Sequence, residues 1–227
     1  MIIPTYEQAK QYEKDYTYIP VCREILADDV TPILMLRKLA ALDGQYFLLE
    51  SVEGGNLGRY SFLGYHPKLS VSCKNGVVKV KENGMVRILP GKPKEALQSL
   101  LEQYRSPQIE GLPTFTGGLV GYFAYETIQY AEPKLHIKQS DVNDFELMMF
   151  DKLLAFDQVM HKLCIIVNAR TADGEAGYNK AVEEIDAFIE TLRITEPIPY
   201  EKPQKAPEFT CNLSKEEYCS MVEKTKH

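Results

Sequence analysis

The sequence predicts an α+β protein in which an antiparallel, sandwich-like β-sheet carries helices packed on its outside. Short strand-like runs follow one another with tight Asn-Gly turns between them, which is typical of antiparallel hairpins. Longer runs with apolar residues at helical spacing flank these strands, without the regular strand-helix alternation of a doubly wound parallel sheet. At 227 residues, 44% of them hydrophobic, the chain is long enough to bury the core that this fold requires.

The first part of the chain predicts a surface helix, a strand and a core-facing helix. Residues 6–16 are mostly polar and charged, which favours a helix lying on the surface. Residues 18–25 are predicted to form a strand. Thr31 followed by Pro32 is typical of a helix start, and apolar residues recur at helical spacing from there to Asp43, where the helix is expected to end.

Residues 45–64 predict a hairpin. Residues 45–52 are rich in aromatic and aliphatic side chains and alternate poorly, which indicates a central strand covered on both faces. A glycine-rich stretch at residues 54–58 interrupts this pattern, and residues 60–63 resume it. The two strands are therefore expected to pair across a wide connection.

The next predicted elements are a three-stranded meander and a helix. Strands are expected at residues 69–73, 77–81 and 85–89, joined by two Asn-Gly pairs. Asparagine and glycine both tolerate the positive φ that a tight turn demands, so these pairs favour antiparallel neighbours. Pro93 then begins a helix with one apolar stripe. The stripe consists of Ala96, Leu97, Leu100, Leu101 and Tyr104.

Residues 117–121 contain three glycines, which invites comparison with a phosphate-binding loop. The motif lacks the Lys-Ser/Thr pair that would contact a phosphate and its metal ion, and it lacks the spacing of a dinucleotide-binding fingerprint. Glycines within a strand more often let another backbone or a packed layer approach closely. We therefore interpret these glycines as sites of close packing.

The last third of the chain predicts two strands and a long helix. Residues 146–157 and 162–168 are expected to form the strands, the second of them fully buried. Residues 178–192 place apolar side chains on one helical face, which predicts a core-facing helix. Its acidic side is interpreted as a solvated face.

The sequence predicts a division into three segments. Residues 1–195 form one domain, residues 196–211 form a proline-rich linker, and residues 212–227 form the first helix of a second domain. Ser214 and Glu217 have the spacing of a capping box at the start of that helix. No stop signal follows it, which suggests that the second domain is truncated.

Composition and charge exclude several classes of function. A formal net charge of -6 without a basic run argues against a nucleic-acid partner. No apolar run approaches the roughly 20 residues that cross a bilayer, which argues against a membrane protein. The five cysteines lack Cys-x-x-Cys spacing and the four histidines are isolated, so we expect free thiols and no local zinc or haem site. A cytoplasmic location is predicted.

Two motifs, separated along the chain, resemble the amino-terminal half of anthranilate synthase component I, a chorismate-utilising enzyme. The first is Leu-Leu-Glu-Ser at residues 48–51, followed by Gly-Arg-Tyr-Ser-Phe-Leu-Gly at residues 58–64. The second is Gly-Gly-Leu-Val-Gly-Tyr-Phe-Ala-Tyr-Glu at residues 117–126. The resemblance extends from about residue 17 to the last residue.

The resemblance implies a regulatory site at the first motif. In that family the matching segment forms part of the pocket where L-tryptophan binds as a feedback inhibitor, so Leu49, Glu50 and Ser51 are the candidate tryptophan-binding residues. In a regular strand, Leu49 and Ser51 share one face and Glu50 lies on the other, unless the strand bulges or ends there. The structural alternative is that Ser51 closes a strand and Glu50 pairs with Arg59 across the hairpin.

The resemblance also implies an activity for a longer protein. The family member converts chorismate, with ammonia from glutamine, to anthranilate and pyruvate; Mg²⁺ holds the substrate, and a glutamine amidotransferase subunit supplies the ammonia. None of the family's catalytic residues or metal ligands lies within residues 1–227, so this chain alone is expected to be inactive. Two alternatives stay open: aminodeoxychorismate synthase component I of the folate pathway, and a stand-alone amino-acid-binding regulatory module.

Overall fold

The computed structural model describes residues 2–28, 30–50, 58–132, 134–135, 137, 141–200 and 210–226. The strands are β1 (Ile2–Ile3), β2 (Tyr18–Leu26), β3 (Tyr46–Leu49), β4 (Tyr60–Tyr65), β5 (Leu69–Lys74), β6 (Val77–Glu82), β7 (Met85–Leu89), β8 (Gly118–Phe123), β9 (Phe145–Phe150), β10 (Lys152–Asp157) and β11 (Lys162–Arg170). The helices are α1 (Tyr6–Ala9), α2 (Pro32–Leu42), α3 (Pro93–Glu102), α4 (Ile128–Ala131), α5 (Gly174–Ile194) and α6 (Lys215–Lys226). The surface helix expected over residues 6–16 is shorter than predicted, because α1 has four residues and continues only as a 3-10 turn.

The described strands form two antiparallel sheets. One sheet has six strands in the order β1-β2-β11-β10-β4-β3, and the other has five in the order β7-β6-β5-β9-β8. The longest pairing joins β2 to β11, which are more than a hundred residues apart in the chain, with Tyr18 opposite Arg170. Together with the helices, this arrangement confirms the predicted α+β class.

Three apolar clusters show how the layers stack. The first cluster lies between the six-stranded sheet and the helices α2 and α5, and it includes Leu39 and Ile185. The second lies between the two sheets, where Phe150 of β9 packs with Ile166 of β11. The third lies between the five-stranded sheet and α3, and it includes Leu100. The order helices, sheet, sheet, helix is a sandwich with its helices outside, as predicted.

The chain passes from one sheet to the other at Asp151. Residues 146–157 were expected to form one strand, and this prediction is wrong because β9 lies in the five-stranded sheet and β10 in the six-stranded sheet. The backbone N–H and the side-chain Nδ2 of Asn168 both donate to the Asp151 carbonyl oxygen, at 3.0 and 3.1 Å. Both strands are largely buried, so the apolar pattern continues through the corner and hides it.

Lys68 supports the same corner. Its Nζ donates to the Tyr18 hydroxyl at 3.1 Å and to Asp151 Oδ2 at 3.2 Å, and it lies 5.0 Å from the centre of the Tyr18 ring. That ring stacks on Tyr104, with 5.5 Å between the centroids. Partial burial disfavours the ammonium ion, but the Tyr18 hydroxyl and the Asp151 carboxylate outweigh this effect and raise the pKa of Lys68 to about 12. The lysine therefore carries its charge at neutral pH.

The predicted meander is confirmed. Strands β5, β6 and β7 pair in sequence order. Asn75 and Gly76 have φ values of 50° and 77°, and Asn83 and Gly84 have values of 49° and 79°. Positive φ at both central residues is what a two-residue type I′ hairpin turn requires.

Strand β3 lies at the edge of its sheet, so the prediction of a central strand is wrong. Within the described residues it pairs with β4 alone, and its end residues Tyr46 and Leu49 are 40% and 47% exposed. Its two middle residues are nevertheless covered from opposite sides, because Phe47 packs between the sheets and Leu48 packs toward the helices. Because both faces of this edge strand are covered by other parts of the protein, its residues are as apolar as those of a central strand.

The predicted core helices are confirmed. The Thr31 side chain accepts a hydrogen bond from the first turn of α2, and α5 buries one face in the core. The acidic side of α5 is less solvated than predicted, because Asp186 pairs with Arg23 of β2 and Glu184 pairs with Lys152 of β10. These ion pairs connect α5 to two strands of the six-stranded sheet.

Helix α6 is exposed along its described length. Its capping box is confirmed, since Glu217 N–H donates to Ser214 Oγ at 3.2 Å and Ser214 N–H donates to Glu217 Oε2 at 2.8 Å. None of its described residues is buried, and Tyr218 is 61% exposed. The domain division proposed from the sequence stays a prediction, because residues 201–209 lie outside the described residues.

We expect the amides of α6 to exchange with solvent faster than those of α5 by roughly two orders of magnitude, because packing rather than propensity stabilises short helices. Hydrogen exchange followed by mass spectrometry measures this difference. Peptides from the centre of α5, around the fully buried Ile185, provide the protected reference. Equal protection of the two helices in the monomer would contradict this expectation.

Candidate functional site

The predicted site residues lie at the end of β3. Leu49 is opposite Phe62 of β4 in the hairpin pairing. Leu49 is 47% exposed, and Glu50, which directly follows the strand, is also exposed. Ser51 lies outside the described residues, so the prediction that it lines a pocket stays a prediction.

Leu49 is the exposed end of an apolar row that faces the second sheet. Phe47, two residues earlier on the same face, meets Phe150 edge-on with 4.7 Å between the ring centroids. Gly64 makes room for this contact, because a Cβ there would clash with the Phe47 ring and lie 3.0 Å from Phe150 Cδ1. Gly64 therefore leaves the space that the Phe47 ring occupies, two residues before Leu49 on the same face of β3.

Aromatic rings extend the apolar surface beside Leu49. Phe62 makes an edge-on contact with Phe115, at 5.5 Å between centroids, and a tilted contact with Tyr60, at 5.8 Å. All three rings are partly buried between the sheets. Leu49, together with Phe62 and the two rings that contact Phe62, can take up a flat apolar group, because such rings offer faces and edges for offset or edge-on contact.

The predicted pairing of Glu50 with Arg59 is not formed. Arg59 instead donates to Asp157 Oδ2 through Nε at 3.0 Å and Nη2 at 2.6 Å. Asp157 Oδ1 also accepts hydrogen bonds from the backbone N–H groups of Val159 and Met160, both at 3.1 Å. Burial disfavours the charged carboxylate, but the Arg59 and backbone donors outweigh it and lower the pKa of Asp157. Asp157 is thus a better partner for Arg59 than an exposed glutamate.

The lowered pKa of Asp157 predicts an acid-dependent contribution to stability. Such a carboxylate stabilises the fold fully above its ordinary pKa of about 3.9, and this contribution is lost as the pH falls through the lower folded value. We expect Asp157→Asn to lower the free energy of unfolding by about 1 to 2 kcal/mol at pH 7, and by less at pH 3. Urea denaturation at both values measures this. Asp141→Asn, at an exposed position, is the matched control.

The glycine motif packs as predicted. Gly121 of β8 is opposite Leu147 of β9. A Cβ on Gly121 would clash with the Glu146 carbonyl oxygen and lie 2.8 Å from Leu147 Cα. The glycine therefore allows close approach of the neighbouring backbone, and its role is in packing rather than in phosphate binding.

No cluster of metal-binding side chains lies within the described residues. Among them, no group of three or more histidine, cysteine, aspartate or glutamate side chains is placed to hold a metal. All five cysteines are free thiols, as expected. None of the described helices combines the length and apolarity that crossing a membrane requires.

Comparisons with known proteins show the shared fold and then the family. The crystal structure of anthranilate synthase component I from Streptococcus pneumoniae matches 89% of this chain and 44% of its own chain, with a TM-score of 0.58 and 23% sequence identity. At this identity the likeness shows the shared fold, an antiparallel two-sheet sandwich with outer helices. The sequence profile of the chorismate binding enzymes matches residues 45–227. This chain belongs to the chorismate binding enzyme family.

Curated relatives refine this result. Anthranilate synthase component 1 of Acetivibrio thermocellus is 34% identical over 100% of this chain and 48% of its own length. The protein of the same name from Acinetobacter calcoaceticus is 35% identical over 93% of this chain and 44% of its own length. The resemblance inferred from the two motifs is confirmed, and the chain spans about half the length of these relatives.

Proposed function

We propose that this chain is the amino-terminal, tryptophan-binding part of an anthranilate synthase component I. The observation that carries the proposal is the alignment of relatives of that name over 93% to 100% of the chain. The position of the first motif supports it, because Leu49 and Glu50 are exposed at a sheet edge where a small molecule has access.

Tryptophan needs an apolar slot for its indole ring, donors for its carboxylate and an acceptor for its ammonium group. We place the indole against Leu49 and the ring of Phe62. The Ser51 hydroxyl then donates to the carboxylate, and Glu50 supplies a negative charge at the rim. Further contacts come from the part of the enzyme that these residues do not include.

The complete enzyme, in this proposal, converts chorismate and ammonia to anthranilate and pyruvate in tryptophan biosynthesis. A glutamine amidotransferase subunit supplies the ammonia. Magnesium holds the chorismate carboxylate when it is bound, and we propose that its ligands lie outside the residues described, which offer no fitting cluster. The described residues contribute the regulatory surface and the sheets that position it.

Anthranilate fluorescence tests the proposal. The complete component I should form anthranilate from chorismate, Mg²⁺ and ammonia, and L-tryptophan should inhibit the reaction. The 227-residue chain should form none, because it spans about half the length of its named relatives. Anthranilate formation in proportion to the concentration of the purified chain would contradict the proposal that catalysis requires the rest of component I. Aminodeoxychorismate as the product would assign the protein to the folate pathway instead.

A further inference from the structure

A second cleft, of about 610 Å³, lies on the inner face of the five-stranded sheet, which is the face turned toward the other sheet. It lies beyond the area that the six-stranded sheet covers, since Val86 and Tyr122 in its lining are 60% and 42% exposed. Gln45 borders it from the start of the β3 segment. The volume falls within the range of about 300 to 1,000 Å³ that is typical of small-molecule sites.

Four polar side chains form a donor group in this cleft: Ser70 and Ser72 of β5, and Lys79 and Lys81 of β6. The antiparallel register places Ser70 opposite Lys81 and Ser72 opposite Lys79. Opposite residues lie about 5 Å apart, and residues two apart along a strand lie about 6.7 Å apart. The two serines and two lysines therefore project from one small area of the sheet, within reach of a single carboxylate.

Neither lysine of this donor group has a carboxylate partner among the residues that the structure describes. Three other lysines on or beside the sheets do form ion pairs. They are Lys68 with Asp151, Lys152 with Glu184, and Lys162 with Glu24. Two adjacent like charges repel each other, so an anion bound between Lys79 and Lys81 would relieve that repulsion.

The other residues of the cleft restrict the ligand. Glu146 lies opposite Ser72 on the far side from Lys79, and its Oε1 accepts a hydrogen bond from Asn143 Nδ2 at 2.7 Å. Its charge opposes a second negative charge on a ligand, which favours a monoanion over a dianion. The neighbouring row adds two apolar side chains, because Val86 is opposite Lys81 and Met148 is opposite Ser70.

We propose that this cleft binds a small monocarboxylate with an apolar body. The carboxylate lies between the two lysines and accepts hydrogen bonds from the two serines, while the apolar body extends across the sheet toward Met148. Leu49, Glu50 and Phe62 are not among its described lining residues, so this cleft differs from the surface on which the indole ring is placed. It adds a second ligand to the proposed function and does not depend on that function.

Titration of the ¹⁵N-labelled protein with acetate, butanoate, hexanoate and octanoate at 50 mM salt tests the proposal. Affinity should rise with chain length by up to about fourfold for each methylene that the cleft buries. Amide shifts should centre on β5 and β6. Inorganic phosphate is the comparison ligand, and it should bind more weakly than hexanoate because its second charge faces Glu146.

The double variant Lys79→Gln/Lys81→Gln should weaken hexanoate binding at least tenfold, and Ser72→Ala should weaken it less. Lys94→Gln, on the exposed side of α3, should leave it unchanged. The proposal fails if hexanoate does not bind. It also fails if acetate or phosphate binds as tightly as hexanoate, which would indicate plain anion attraction, or if the double variant, with an unchanged amide spectrum elsewhere, binds as the parent does.

Discussion

Replacing Ser51 by phenylalanine in the complete enzyme is expected to weaken inhibition by tryptophan roughly tenfold or more, while anthranilate formation continues. A neutral hydrogen bond contributes about 0.5 to 1.5 kcal/mol, and a ligand charge left buried without a partner costs more, so the loss should reach about one decade in affinity. Phenylalanine is also much larger than serine, which adds a steric barrier to the ligand. The tryptophan concentration giving half-maximal inhibition is the quantity to measure.

A matched variant separates an effect on tryptophan binding from a nonspecific effect of adding a phenylalanine to the enzyme. Ser99→Phe introduces the same side chain on the exposed side of α3 and should leave inhibition unchanged. Ser51→Arg, which adds bulk and charge, should weaken inhibition at least as much as Ser51→Phe. If the midpoint for tryptophan is unchanged in both Ser51 variants, Ser51 merely closes a strand, and the regulatory part of the proposal falls.

Replacing Gly121 by alanine is expected to lower the free energy of unfolding by about 3 kcal/mol. The added Cβ would meet the backbone of β9, at the Glu146 carbonyl oxygen and Leu147 Cα, and backbone atoms have no rotamer change that would relieve the contact. Pairing between β8 and β9 would have to widen. Urea denaturation of the parent and the variant measures the change.

Gly44→Ala is the control for this substitution, because a Cβ at residue 44 would have no atom within 4 Å. It should change the free energy of unfolding by less than about 0.5 kcal/mol. A Gly121 variant as stable as the Gly44 variant would show that the β8 strand shifts freely, and that the glycine motif is not held by close packing.

Turns and helix caps could be predicted from the sequence, whereas the sheet to which each strand belongs could not. The Asn83-Gly84 turn, the Thr31 cap and the Ser214 capping box were predicted because each depends on a few neighbouring residues. The corner at Asp151 was missed because both flanking strands are largely buried, so hydrophobic periodicity carries no sign of which sheet a strand joins.

The candidate site shows the same limit. The first motif pointed to Leu49, Glu50 and Ser51; the structure places Leu49 and Glu50 at an exposed strand end, and Ser51 lies outside the described residues. The partner of Arg59 could not be predicted, because Asp157 is 98 residues away and reaches it only through the pairing of β4 with β10. The ring of Phe115 comes from a loop outside the hairpin, and no spacing rule connects it to Phe62.

The corner at Asp151 also limits how this protein can be recombined with its relatives. One uninterrupted stretch, from β9 through β10, supplies an interior strand to each sheet. A chimera that exchanges one sheet must therefore exchange the other as well, or join the two parents within the corner at Asp151. A crossover is better placed at the exposed Asn83-Gly84 turn, where both neighbouring strands belong to one sheet. In this fold a hairpin can be exchanged between relatives as a unit, whereas a whole sheet cannot be exchanged without the other sheet.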